Sequence, residues 1–399
     1  MGTMMKNITE KQFKGFLSVH EPQWFTDLRQ NSFNKFKTAK SPIYRYGEAI
    51  RISPIGFSFD EIEAPTTVTS IYTLHYDQQS GIKIYQGKEL PLEFPQSFYE
   101  EFFSGALEKP GLFHQAFSND FLFIVLPPKP MLEPLEIHQL ISDKILVSTI
   151  CILAPPHAEA KIIFYKTGTG DIPVYCSEDM RIISQRESNI EFISIQNLPF
   201  THNLMQRRIA KLEKDAHLLW TDVVLGSNYT KSEIITHLCG EGANTLNQVL
   251  FLANTKQRFD IYTASIHVAP HTTSNIITKG VVNDQAKVLS RGLVHIKQNA
   301  TGSNGYEKQD ALLLSNDAEA DAIPNLEIEN HDVKCSHGST VGQVDADQLF
   351  YLMSRGLSKN LAQQKIIEGY FIPILEVFTD DSLKKKIHAS IMQAIDAED

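Results

Sequence analysis

The sequence predicts a mainly β chain, a β-solenoid with helical ends, and three observations carry that reading. From about Phe113 onward, short apolar runs rich in β-branched residues recur between polar, Gly or Pro breaks. Between Gln248 and Val341 no helical period is found. Helix-capping signals are confined to the two ends. Two architectures accommodate many brief strands. A sandwich joins longer strands by Asn-Gly or Asp-Gly hairpins, and here Asn304-Gly305 is the main such dipeptide. A solenoid uses short strands that each pair with the coil above and below, and this is the preferred reading, although no strict repeat is visible.

The elements follow in order. Thr9-x-x-Gln12 fits a capping box, in which two side chains satisfy orphan N–H groups at a helix start. Glu21-Pro22 opens a second helix, with Trp24, Phe25, Leu28, Phe33 and Phe36 as its apolar stripe. Residues 95–107 suit another short helix. Strands are expected at 121–126, 145–153, 160–165, 190–195, 248–252, 259–263, 274–278, 287–289, 293–297, 311–314, 326–329 and 333–335. Residues 204–220 fit a helix or a strand, and both stay open. Asp345-x-x-Gln348 starts a helix that ends at Gly356, and Ser358 starts the next, with Ala362, Ile366, Ile367, Tyr370 and Leu375 on one side. Pro373 is expected to bend or break it. Residues 380–399 form a third amphipathic helix whose Lys384, Lys385 and Lys386 are a solvated face. The divisions expected are residues 1–112, mostly helical; 113–342, the solenoid; and 343–399, helical.

The chain has 399 residues, of which 42% are hydrophobic and 21% charged. That is globular composition with room for two or three structural units. A net charge of −10 disfavours nucleic acid, whose phosphates need a basic footprint. The four cysteines, Cys151, Cys176, Cys239 and Cys335, form no C-x-x-C pair, so zinc ribbon, thioredoxin motif and disulfide scaffold are disfavoured and a reducing compartment is expected. No apolar run approaches the ~20 residues of a membrane helix, and residues 1–6 lack a signal-peptide apolar region. A soluble cytoplasmic protein is expected.

Chemistry-bearing motifs are few. There is no G-x-x-x-x-G-K-[ST], no G-x-S-x-G and no H-E-x-x-H. Gly168-Thr169-Gly170 and Gly240-Glu241-Gly242 are expected to be turns. His267 and His271 have the spacing of a helical metal pair, but Pro270 between them makes the chain extended or turned, so turn or packing roles are expected. Cys335-Ser336-His337 is the informative triplet. On a strand, thiol and imidazole share one face, with Cα atoms roughly 6.5–7 Å apart. A thiolate with an imidazole suits iron–sulfur or zinc chemistry. It also suits a Cys/His nucleophile in a thiol-dependent hydrolase or transferase, for which no orienting residue or oxyanion donor can be assigned. Two donors do not close a metal site, so others must come from another strand or chain.

The carboxy-terminal half carries a resemblance. The stretch Ala269-Pro270-His271-Thr272-Thr273-Ser274-Asn275, then Asp310-Ala311-Leu312-Leu313-Leu314-Ser315 and Ala318-Glu319-Ala320-Asp321, resembles the SufB/SufD family of iron–sulfur cluster assembly proteins. So does Asp332-Val333-Lys334-Cys335-Ser336-His337-Gly338, continuing into Leu349-Phe350-Tyr351-Leu352-Met353-Ser354-Arg355-Gly356. The Val-Lys-Cys-Ser-His-Gly form is similar to the SufD branch. The resemblance covers about residues 249–377 firmly and 113–170 more loosely; 50–110 and 175–235 depart from it. It implies a right-handed parallel β-helix with helical termini and a non-enzymatic scaffold. It implies partnership with a SufB-like protein and a SufC-like ATPase, and indirectly with a cysteine desulfurase. The isolated chain could pair with itself. His337 and Cys335 become candidate ligands of iron or a nascent, transient iron–sulfur cluster shared with SufB. Leu349, Phe350, Arg355, Gly356 and Tyr370 become candidates for the ATPase contact. Removing everything after Val344 is then expected to leave the β-helix folded.

Overall fold

A computed structural model describes residues 8–17, 21–40, 45–46, 50–51, 71–87, 99, 103, 108–142, 144–169 and 173–375, with 384–385, 387–389 and 391–392 near the carboxy terminus. Two nine-stranded sheets face each other and form a parallel solenoid of about eight turns. Sheet I stacks β3 (Ile71–His75), β6 (Leu135–Ile141), β8 (Glu159–Gly168), β10 (Asn189–Asn197), β12 (His217–Val224), β14 (Asn244–Ala253), β16 (Thr273–Val282), β18 (Asn304–Leu313) and β20 (Lys334–Gln343). Sheet II stacks β4 (Lys83–Gly87), β5 (Asp120–Val125), β7 (Ile145–Ala154), β9 (Val174–Ser184), β11 (His202–Leu212), β13 (Tyr229–Leu238), β15 (Arg258–His267), β17 (Lys287–Ile296) and β19 (Glu319–Ile328). From β5 onward the chain alternates between sheets, so each strand pairs with the strand two positions away. All these pairings are parallel except at the amino-terminal end, where β3 and β4 run antiparallel to β6 and β5. Both sheets therefore begin before Phe113. A small antiparallel pair, β1 (Arg45–Tyr46) with β2 (Ile50–Arg51), stands apart.

Most strands from β7 onward have about ten residues, longer than their apolar runs suggest. In-register stacking places like positions above one another, so polar residues are held in the ladder by their neighbours. Residues 204–220 resolve as the end of one strand and the start of the next, β11 and β12. The turns from sheet II to sheet I carry a period hidden in the residue types. A left-handed residue recurs at His157, Glu187, Asp215, Gly242, His271 and Gly302. Its spacing is near thirty residues (187 − 157 = 30; 302 − 271 = 31; shortest 242 − 215 = 27). The N–H of each donates to the turn of the next coil, as in His157 to the Arg186 carbonyl and His271 to the Thr301 carbonyl.

The interior is filled by alternating residues of both sheets, including Ile150, Ile162, Phe164, Ile182, Phe192, Leu212, Trp220, Phe251, Phe259 and Ile261. Helix α1 (Glu10–Phe16) starts at Thr9 with the expected capping box. Helix α2 (Gln23–Thr38) has Pro22 at its cap and buries Phe25, Arg29, Phe33 and Phe36. Together with α3 (Lys109–Phe117) they cover sheet II, where Phe33 and Phe113 pack with Val147, Tyr175 and Tyr229. The helix expected at 95–107 lies almost wholly outside the described residues.

At the other end, α4 (Ala346–Ser354) is capped by Asp345, which accepts from the Asp347 N–H, and Gly356 follows it with φ +95°. Helix α5 (Lys359–Leu375) runs on through Pro373 rather than breaking there. It lies along the outer face of sheet I. Ile367, Phe371 and Leu375 pack with Ile163, Ile193, Val223, Leu250 and Val281, and Ile387 and Ile391 join the same cluster. The described residues of 380–399 are helical. This changes one expectation. Cutting after Val344 would bare an apolar sheet face, which argues against a carboxy-terminal tail independent of the solenoid.

Candidate functional site: the open last coil

Strand β20 is the last strand of sheet I, and among the described residues no coil follows to cover it. Its register on β18 aligns Cys335 with Gly305, His337 with Glu307 and Ser339 with Gln309. Gly305, Glu307 and Gln309 are buried, so alternation puts Cys335, His337 and Ser339 on the inner face and Ser336 on the outer one. The structure thus brings Cys335 and His337 to one side at the mouth of the solenoid. Cys335 is half-buried beside Val294, Leu326 and Val333, while His337 is exposed. The absent side chain of Gly305 creates the space: a Cβ there would lie 2.5 Å from Val294 Cγ1 and 3.3 Å from Cys335 Sγ.

Burial, with the nearby Glu307 carboxylate, pushes the Cys335 thiol up to about 11. At neutral pH it is a protonated, weak nucleophile, which a metal would have to deprotonate to bind. All four cysteines are free; Cys151 and Cys176 are buried, and desolvation holds Cys176 at about 12. Among the described residues no group of three or more His, Cys, Asp or Glu side chains is arranged to hold a metal ion. The Cys335–His337 pair is therefore a two-donor half-site with one side open. That chemistry fits a metal cargo only when a second chain completes the shell.

Glu307 is a residue that the sequence did not single out. It is fully buried. One oxygen accepts from Gln309 Nε2 and the backbone N–H of Asn325 also donates to the carboxylate. Its Oε2 has no hydrogen-bond partner. The side chain fits because residue 292 on the facing strand is Gly; a Cβ there would lie 1.6 Å from Glu307 Oε1. Burial pushes this carboxyl up to about 7. The signal in the sequence was faint: Tyr306-Glu307-Lys308-Gln309-Asp310 is polar throughout and gives no hint that alternate residues face inward.

Deeper in the solenoid lies a second polar group that sequence reading missed. Lys166, Glu178, Arg208 and Asp222 are at most 1% exposed. Lys166 Nζ lies 2.6 Å from Glu178 Oε2, and Arg208 Nη1 donates to Asp222 Oδ1 at 2.6 Å. Arg208 Nε is 3.6 Å from Glu178 Oε1, a contact of charge rather than an aligned hydrogen bond. Ser194 and Gln206 accept from Arg208 Nη2, each at 2.9 Å. This network touches no candidate ligand and is closed on itself.

Other expected positions fall as follows. His267 is buried between Thr272 Oγ1 (2.7 Å) and Ser274 Oγ (2.8 Å), while His271 is one of the left-handed turn residues. They form a packed side chain and a turn, not a metal pair. Leu349 is half-buried and Phe350 is 72% exposed. Arg355 is exposed and donates to the Tyr351 hydroxyl. Tyr370 is half-buried against the solenoid with Lys279 Nζ 4.9 Å from its ring centre, so it is held by packing.

The model of the SufBD core domain, from the SUF system of iron–sulfur cluster assembly, matches residues 138–370. The chain belongs to the SufBD family. An iron–sulfur cluster assembly SufBD family protein of Staphylococcus saprophyticus is 28% identical over 396 residues, covering 92% of this chain and 84% of that protein. SufBD family proteins of Staphylococcus epidermidis and Staphylococcus aureus are 27% identical over 390 residues, covering 91% of this chain and 83% of theirs. Membership implies a role in iron–sulfur cluster assembly. No helix of the described residues is long and apolar enough to cross a membrane.

Proposed function

We propose that this SufBD protein is the SufD-like scaffold subunit of a cytoplasmic complex with a SufB-like protein and a SufC-like ATPase. It is a non-enzymatic subunit, and the nascent cluster is its cargo. One observation carries the reading: Cys335 and His337 share the inner face of a terminal strand whose edge is open among the described residues. Two donors at an open edge suit a cluster or iron ion shared across an interface, because a facing chain supplies both the missing strand and the missing ligands. Neutral imidazole is a competent iron ligand. The Cys335 thiol, held protonated, does not suit the competing Cys/His nucleophile.

The ATPase contact is assigned to α4. It buries no residue of its own, and Phe350, Tyr351 and Met353 are exposed at 72%, 55% and 42%. Exposed apolar side chains gathered on one helix mark an interaction surface. Tyr370 leaves that set because it is packed under Lys279.

The test is anaerobic co-purification with SufB-like and SufC-like partners, with iron and sulfide measured. The wild-type complex is expected to accumulate both. The His337→Ala complex is expected to assemble and stay nearly empty. A His337→Ala complex that matures clusters at the normal rate removes the ligand role. A chain that binds neither partner removes the scaffold reading.

A further inference from the structure

We propose that Glu307 is a positioning residue for the metal at the open end, the buried counter-charge that makes the mouth of the solenoid receptive to a divalent cation. The proposal rests on the reading of Cys335 and His337 as ligands and adds a residue to it. Two buried glutamates differ in their partners. Glu178 has Lys166 and Arg208 beside it. Glu307 is equally inaccessible, yet among the described residues no cation pairs with it, and its Oε2 has no partner at all. An unpaired buried acceptor is costly, and such groups persist where something else compensates them.

Three features show that the position is built. Gly292 leaves the gap that holds the carboxylate. Gln309 fixes Oε1 by donating to it, while Oε2 accepts no hydrogen bond. The β18–β20 register puts Glu307 directly beside His337, one strand inside the mouth. The cation missing from this carboxylate is therefore the one that arrives at His337 and Cys335. Glu307 lies outside the donor set itself, consistent with the absence of any three-ligand group among the described residues. It acts through the field of a desolvated charge, which is screened far less than a surface one.

The experiment is optical and calorimetric titration with Co2+, a spectroscopic substitute for Fe2+, of the full-length chain assembled with its SufB-like and SufC-like partners. Wild type, Glu307→Gln, Glu307→Asp, Gly292→Ala and His337→Ala are compared. The wild-type complex is expected to bind cobalt with a thiolate-to-cobalt charge-transfer band. Glu307→Gln keeps the shape of the side chain, and is expected to weaken binding at least tenfold while the folded structure by circular dichroism is unchanged. Glu307→Asp, which keeps the charge, should recover part of the loss. Gly292→Ala leaves every donor in place and displaces the carboxylate; at least a threefold loss is expected, which keeps the question decidable should Glu307→Gln fail to fold. Wild-type affinity in both Glu307→Gln and Gly292→Ala, with His337→Ala still deficient, overturns the role of Glu307 and spares the ligand reading. No cobalt bound by the wild type, or equal binding by His337→Ala, removes the ligand reading and this proposal with it.

Discussion

The middle of the solenoid and its last coil bury charge in opposite ways. In the middle, Lys166, Glu178, Arg208 and Asp222 balance two cations against two anions in a sealed interior. In the last coil Glu307 is sealed to the same degree, with no cation paired to it among the described residues, one strand from a face that water reaches. A closed ion network balances its own charge. A lone carboxylate at the mouth leaves a position to be filled. The same fold thus separates a structural use of buried charge from one that points outward.

The largest expected effect breaks the first half of that contrast. Arg208→Met leaves Glu178 with Lys166 alone and Asp222 without its cation, and loss of one partner from a buried network costs about 3–5 kcal/mol. Urea denaturation should show it as a lower midpoint. A loss below about 1 kcal/mol would mean that water already reaches the network. Replacing all four members together by apolar residues of similar volume should be near neutral, since the desolvation cost disappears with the charges.

A comparable loss is expected where α5 meets sheet I. Phe371 is 1% exposed, so Phe371→Ala should cost about 3–5 kcal/mol, whereas Phe350→Ala on α4 should stay within about 0.5 kcal/mol. Equal melting temperatures for the two variants would contradict the placement of the helices.

The next effect concerns pH. A carboxyl raised from 4.5 to about 7 in the folded chain binds its proton more tightly there than in the unfolded chain. Its contribution to stability is full below pH 4.5 and is lost as pH rises through about 7, by up to roughly 1.4 kcal/mol per pH unit. Two buried histidines oppose it. Desolvation holds His114 and His267 at about 4, so their contribution is present above 6.5 and lost as pH falls. The clean observable is the difference between Glu307→Gln and wild type. The variant should gain relative stability as pH rises from 4.5 to above 7. A difference independent of pH would show that Glu307 is not perturbed.

The smallest effect is on stability at the candidate ligand. His337 is exposed, so His337→Ala should shift stability by no more than about 0.5 kcal/mol while metal binding collapses. A large loss of stability would make the histidine structural.

Much of this was legible in the residues, and what was not has a physical cause. Solenoid class, capped ends and the Cys335/His337 face follow from local patterns: apolar runs, a capping box, the two-residue period of a strand. The thirty-residue coil was hidden because its marker is a backbone conformation, adopted here by His157, Glu187, Asp215 and His271 as well as by glycine. The full length of strands such as β18 was hidden because Glu307 and Gln309 are polar residues turned inward, which an apolar pattern cannot report. Residues 204–220 stayed ambiguous because Arg207, Arg208 and Lys211 break the apolar run, although Arg208 is in the core. The position of α5 could not be foreseen either, since an amphipathic helix does not name the surface that it covers.

The two ends of the stack differ in strand polarity and length, and this bears on polymerisation. The carboxy-terminal end presents ten-residue strands that run parallel to their neighbours; the amino-terminal end presents five-residue strands that run antiparallel to theirs. Repeating units that stack head to tail grow without limit when the ends match. Here β20 of one molecule meets in β3 of the next a strand of half its length and opposite sense. That mismatch works against a fibre, and it leaves the carboxy-terminal edge free for a partner built to fit it.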